Sequence, residues 1–86
     1  MSEQLIGTVT HFFGKASVIA IEITAGELKV GDSIHVAGHL TDLTEVVGSM
    51  QIEHEQVTAV KQGDLVGIKV MGKAREGDDV YRVLPD

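Results

Sequence analysis

One short motif recurs three times in this chain: a basic residue, a spacer, Gly and Asp, followed by an apolar segment. The copies are Lys29-Val30-Gly31-Asp32, Lys61-Gln62-Gly63-Asp64 and Arg75-Glu76-Gly77-Asp78. Glycine adopts the positive φ that a tight turn needs, and an aspartate side chain accepts hydrogen bonds from amides of its own turn. Each copy therefore predicts a turn that leads into a β-strand, and the chain as a whole is predicted to be all-β.

The length and composition predict one domain that spans residues 1–86. A chain of 86 residues buries only about 60% of its unfolded surface, which suffices for one core but not for a separate catalytic lobe. Aromatic residues make up 3% of the sequence, so Val, Ile, Leu and Ala must supply that core.

Three absences in the sequence narrow the class of protein. There is no cysteine, which excludes disulfides and thiolate metal sites. The first residues carry no basic and apolar signal region, and the longest strongly apolar run, Val18-Ile19-Ala20-Ile21, is too short to cross a bilayer. We therefore expect a soluble cytoplasmic protein with no membrane partner.

Alternation and turn residues predict six strands, at residues 6–13, 16–23, 33–37, 45–55, 65–71 and 79–84. The segment 38–43 is predicted as a loop and 56–62 as a connection that includes at most one helical turn. A competing interpretation is a short helix that begins at Asp42, because Asp42 and Glu45 have capping-box spacing. The β-branched residues that follow favour a strand.

Several segments in order resemble the second domain of translational GTPases such as elongation factor Tu. They are Gly14-Lys15-Ala16, Leu28-Lys29-Val30-Gly31-Asp32, Met50-Gln51-Ile52, Gly63-Asp64-Leu65-Val66-Gly67-Ile68 and Glu76-Gly77-Asp78-Asp79-Val80. Residues 38–43 and 47–54 are more similar to small stand-alone translation-factor-like proteins and to barrels at the C-terminal end of collagenase-like peptidases. The resemblance implies a six-stranded closed barrel with Greek-key connections.

The resemblance also implies a binding module rather than a GTPase. The sequence has no Gly-x-x-x-x-Gly-Lys-Ser/Thr loop, so we expect no nucleotide. In elongation factor Tu this barrel helps to grip the aminoacylated end of tRNA. The net charge of −6 opposes unaided binding of nucleic acid, because phosphate contacts favour a basic surface.

No sequence pattern predicts an enzyme, a cofactor or a metal ion. His35, His39 and Asp42 are a candidate ligand set for zinc, but a strand and the loop after it do not converge their residues as a helix does. His54 is expected on the inward-leaning face of the fourth strand and His11 near the end of the first. Glu53 and Glu55 are expected on a solvated strand face.

The best candidate for partner binding is the tip of the first hairpin, at His11, Phe12, Phe13 and Lys15. Adjacent strand residues face opposite ways, so one phenylalanine is expected in the core and the other outside, where it could stack on a base or fill a protein pocket. The alternative is that a twist or bulge buries both rings.

A second candidate is the basic concentration near the C-terminal end. Its members are Lys69, Lys73, Arg75 and Arg82, which could bind phosphate. Glu76, Asp78 and Asp79 lie among them, and the alternative is that these charges serve only the solubility of the surface.

Two functions follow from these observations. One is a translation-related module that contacts RNA, the ribosome or a translation factor. The other is an accessory protein-binding barrel for a separately encoded enzyme such as a collagenase-like peptidase. A further alternative is a metal-dependent hydrolase built on His35, His39 and Asp42.

Overall fold

The computed structural model describes residues 2–84 and contains ten β-strands and no helix within them. The strands are β1 (Ser2–Phe13), β2 (Val18–Ile23), β3 (Glu27–Lys29), β4 (Ser33–Ala37), β5 (Asp42–Val46), β6 (Met50–Ile52), β7 (Glu55–Val57), β8 (Ala59–Lys61), β9 (Leu65–Lys69) and β10 (Asp79–Leu84). The all-β prediction is confirmed. Residues 2–84 therefore contain no helix that could span a membrane.

Eight strands form one sheet in the order β5-β4-β10-β1-β2-β9-β6-β7, and β3 pairs with β8. All of the pairs are antiparallel. The long strand β1 lies near the centre and pairs with β10 along its first half and with β2 along its second. The predicted number of six strands is therefore wrong. The strands at the two ends of the large sheet are β5 and β7.

The core is built from aliphatic side chains, as the scarcity of aromatic residues predicts. Alternate residues of β2, β4 and β9 are buried, which places one face of each strand inward. The fully buried side chains include Ile6, Ile19, Ile21, Ile23, Leu28, Ile34, Met50 and Ile68.

The predicted strand 45–55 is divided in the structure into β5, β6 and β7. Glu53 and His54 have φ values of 52° and 67°, and this left-handed backbone folds β6 back onto β7 as a hairpin. His54 is therefore exposed at a turn instead of facing inward, and Glu53 belongs to the same turn rather than to a strand face. Hydrophobic alternation ends at Ile52, but the polar run from Glu53 to Gln56 contains no glycine or proline that would mark a turn.

The structure differs from the predicted strands in two further places. β3 and β8 pair over three residues each, and β8 falls in the segment predicted as a connection. β5 begins at Asp42, inside the predicted loop and at the residue where the competing interpretation placed a helix. The two strands β4 and β10 have the predicted bounds.

The three Gly-Asp turns form as the motif predicts. Gly31, Gly63 and Gly77 have φ values of 99°, 98° and 92°. In each turn the aspartate Oδ2 accepts a hydrogen bond from the backbone N–H of the basic residue three positions earlier, at 3.0 Å for Asp32, 2.9 Å for Asp64 and 2.8 Å for Asp78.

Candidate functional site

The tip of the first hairpin separates its two phenylalanines, as predicted. Phe12 is half-buried and packs against the core, whereas the Phe13 side chain is 49% exposed. Phe12 pairs with Ile19, which faces inward, and Phe13 pairs with Val18, which faces outward because adjacent strand residues alternate. Phe13 is therefore the outward aromatic group of the tip.

His11 lies beside Phe13 on the same outer surface. The two ring centroids are 4.4 Å apart, and the ring planes are tilted by 60°. The pair brings together two of the predicted binding residues and orders the exposed Phe13 ring by contact on one side. Lys15 is exposed in the turn that follows.

Strand register places Lys69 in the same row as Phe13. Phe13 pairs with Val18, and Val18 pairs with Lys69 on β9, so the three residues follow one another across the outer face of the sheet. Lys69 is exposed. Two candidates that are far apart in sequence thus belong to one surface.

Next to this row lies an open apolar groove of about 440 Å³. Ala20 and Gly67, which pair with each other, form its floor. A Cβ atom on Gly67 would lie 3.4 Å from Val18 Cγ1, so the space above the floor exists because position 67 carries no side chain. Leu65, which is 61% exposed, borders the groove at the end opposite Phe13.

The remaining sides of the groove come from β1, the hairpin turn and β6. The full lining is Thr10, Phe13, Ala16, Val18, Ala20, Gln51, Glu53, His54, Leu65, Val66 and Gly67. We call this surface the outer groove.

Lys73 and Arg75 do not belong to the outer groove. They line a separate depression of about 330 Å³ together with Phe12 and Leu40. Arg82 is elsewhere again, where its Nη1 donates to the Glu27 carbonyl oxygen at 3.4 Å and lies 3.9 Å from Asp32 Oδ2. The predicted basic concentration is therefore divided among three places.

His35 is held between two carboxylates rather than beside His39. Its Nε2 lies 2.6 Å from Asp42 Oδ1, and its Nδ1 lies 3.0 Å from Glu3. The hydrogen bonds to Glu3 and then to Asp42 raise the pKa of His35, against a smaller lowering by burial.

In this arrangement His35, His39 and Asp42 do not form a metal site. The carboxylates occupy opposite nitrogens of one ring, so they cannot converge on one ion, and His39 is exposed in the loop after β4. No group of three metal-binding side chains occurs in residues 2–84.

The sequence predicts the aromatic side of the outer groove, at Phe13, but not its floor. The available signal was a pair of small residues, Ala20 and Gly67, at outward positions of two strands. That signal acquires meaning only when the two strands are known to be neighbours, because either residue alone is ordinary in a strand.

Comparison with known proteins places the sequence beside segments of proteases. No family model matches. The chain is 47% identical over 77 residues, 88% of its length, to an uncharacterized protease of Methanocaldococcus jannaschii, and 31% identical over 78 residues to a collagenase of Porphyromonas gingivalis. It spans 19% and 22% of those two proteins, about a fifth of each.

Solved structures show where this fold occurs. The C-terminal domain of a putative U32 peptidase from Geobacillus thermoleovorans matches with a TM-score of 0.85, at 14% identity, over 94% of this chain and 93% of that one. The chain has the fold of that domain. GDP-bound aIF5B from Aeropyrum pernix matches with a TM-score of 0.67, at 15% identity, over 96% of this chain and 14% of that one. The latter supports the predicted resemblance to translational GTPases at the level of the fold.

Proposed function

We propose that this chain is a non-catalytic protein-binding module that serves a separately encoded collagenase-like peptidase. The observation that carries the proposal is the 47% identity to a segment that makes up about a fifth of a protease. A segment of that size is suited to an accessory role beside a larger catalytic part.

The contacts of the histidines support a role without catalysis. A general base needs a free ring nitrogen within reach of the proton that it removes. Both nitrogens of His35 contact carboxylates, and no hydroxyl group is among their partners. His11 contacts Phe13 in a tilted ring pair at the protein surface, in a setting suited to binding.

We also propose that the strands form a closed barrel, which would give the module a rigid outer surface. The support is a set of backbone hydrogen bonds around the first Gly-Asp turn. Val30 N–H donates to Thr58 O at 3.0 Å and Gly31 N–H to Val47 O at 2.9 Å, so one short segment reaches both ends of the large sheet.

The test is direct binding. The M. jannaschii protease, with the matching 77-residue segment deleted, is titrated with this chain in a calorimeter at low and high salt. We expect saturable binding that changes little with salt, because the candidate surface is mainly apolar. Absence of binding, with both proteins shown to be folded, would refute the proposal.

A translation-related role is the second candidate, and it rests on the fold likeness to aIF5B together with one surface. Lys73 and Arg75 lie beside the half-buried Phe12 and the exposed Leu40, which places two cations next to apolar groups. Binding of tRNA through this surface would weaken steeply as salt rises and would fall further in Lys73→Glu. The same titration with tRNA therefore separates the two functions.

A further inference from the structure

We propose that the outer groove binds a short extended peptide segment with two adjacent apolar residues, flanked by a basic residue on one side and an acidic residue on the other. The proposal deepens the proposed function and rests on it, because it gives the chemistry of the partner segment. Nothing in the comparisons assigns a ligand to this surface.

The dimensions of the groove favour a short segment. It covers four neighbouring strands, β1, β2, β9 and β6, which span about 14 Å at a spacing of about 4.8 Å. Along the strands, the rows of Val18 and Glu22 are about 13 Å apart. An extended chain of about four residues covers that distance.

The same dimensions argue against a second copy of this chain as the occupant. The groove face measures roughly 180 Å², whereas a stable protein–protein interface buries about 800 Å² per partner. The net charge of −6 also repels a second copy.

The floor and borders of the groove select apolar side chains. Ala20 and Gly67 leave space between Phe13 and Leu65, and none of these four residues has a polar side-chain atom. Two apolar side chains that enter this space displace water from an apolar surface, which is the main source of affinity at a groove of this kind.

The charges at the two ends set the direction of the segment. Lys69 lies in the row of Phe13 and Val18, whereas Glu22 pairs with Leu65 at the opposite end. Both charged residues are exposed. An acidic residue of the segment would overlie Lys69, and a basic residue would overlie Glu22.

This pattern of opposite charges disfavours single-stranded RNA. A nucleic-acid strand needs positive charge along its whole path. Here Glu22 lies at the end of the groove away from Lys69, and Glu53 lines the groove itself.

The test uses three capped peptides and methyl-labelled protein observed by NMR. The peptides are Gly-Ser-Lys-Leu-Phe-Asp-Gly-Ser, the uncharged Gly-Ser-Ser-Leu-Phe-Ser-Gly-Ser and the apolar-free Gly-Ser-Lys-Ser-Ser-Asp-Gly-Ser. We expect the first to shift the methyl signals of Val18, Ala20 and Leu65 to saturation, the second to do so with an affinity lower by about threefold, and the third to have no effect.

Two variants locate the site. Gly67→Val fills the floor of the groove with a residue suited to a strand, so it should abolish peptide binding. If Gly67→Val does not fold, Gly67→Ala replaces it, because its Cβ makes only an ordinary contact with Val18 Cγ1. Lys69→Glu should remove the threefold advantage of the charged peptide and leave the uncharged peptide unaffected. Leu5→Ser is the control, because Leu5 on β1 is an exposed apolar residue, as Leu65 is. This variant should bind the peptide as the unaltered protein does.

Several results would overturn the proposal. The first two are the absence of saturable shifts with the charged peptide and unchanged peptide binding in Gly67→Val. A third is that the same methyl groups shift with protein concentration alone, which would indicate that a second copy occupies the groove. A fourth is that an oligouridine produces equal shifts. If the segment-deleted protease binds equally to Gly67→Val, the groove is not the site although the accessory role stands. If the peptides bind and the protease does not, the accessory role fails instead.

Discussion

The carboxylate of Glu45 accepts hydrogen bonds from the backbone N–H of Met71, at 2.7 and 2.8 Å to its two oxygens. A third bond, from Gly72 N–H at 3.0 Å, completes the contact. One side chain of β5 thus fixes the beginning of the loop that follows β9 and carries Lys73 and Arg75.

Glu45→Gln should loosen that loop. The amide keeps one acceptor oxygen but loses the charge, and hydrogen bonds to a charged acceptor are about twice as strong as neutral ones. We expect a loss of about 1 kcal/mol in the free energy of unfolding and faster hydrogen exchange at Met71 and Gly72. Glu55→Gln, at an exposed residue of β7, is the matched control. Equal exchange rates in the two variants would contradict this role of Glu45.

The two phenylalanines of the hairpin tip should respond in opposite ways to truncation. Phe12→Ala removes a ring that packs on the core and should cost about 2 kcal/mol of stability in chemical denaturation. Phe13→Ala removes an exposed ring, so stability should change little while protease binding falls about tenfold or more. The reverse pattern would show that the tip is packed differently.

The environment of His35 predicts a pH-dependent contribution to stability. Its pKa is raised in the folded protein, so the contribution is fully present below the pKa of about 6.5 in the unfolded chain and is lost as the pH rises through the folded pKa. Because Asp42 and Glu3 are substantially exposed, we expect only about 0.5 kcal/mol, or a Tm change of roughly 2 to 4 °C.

Thermal unfolding between pH 5.5 and pH 9 measures this contribution. The variant His35→Gln should lose the part of the pH dependence that lies above pH 6.5, whereas His39→Gln should keep it. Identical pH profiles for His35→Gln and the unaltered protein would refute the role of His35.

Gly38 should tolerate no side chain. A Cβ atom there would overlap the carboxylate of Asp78, which is buried and closes the third Gly-Asp turn. We expect Gly38→Ala to cost about 1 to 3 kcal/mol. Gly48→Ala is the control, because a Cβ atom at Gly48 meets no atom within 4 Å. Similar Tm values for the two variants would contradict the close approach.

The sequence predicts those parts of the fold that depend on local chemistry. Each Gly-Asp turn needs only residues within four positions of one another, and β4 and β10 follow from short alternating runs. The division between Phe12 and Phe13 also follows from the alternation of one strand. These features required no knowledge of the neighbouring strands.

The sequence does not predict features that depend on pairing at a distance. The hairpin at Glu53 and His54 uses positive φ values in residues that are not glycine, and no glycine or proline marks the turn. The outer groove requires β2 to lie beside β9 so that Ala20 meets Gly67. The contact of His35 with Glu3 joins residues 32 positions apart, across β4 and β1.

We propose that this chain binds a collagenase-like peptidase through the outer groove. Methyl cross-saturation NMR tests it most directly, with labelled chain and unlabelled M. jannaschii protease that lacks the matching segment. We expect signal loss at Val18, Ala20 and Leu65 and none at Leu5. Loss at Leu5 without loss at these three methyl-bearing residues, or no loss at all, would contradict it.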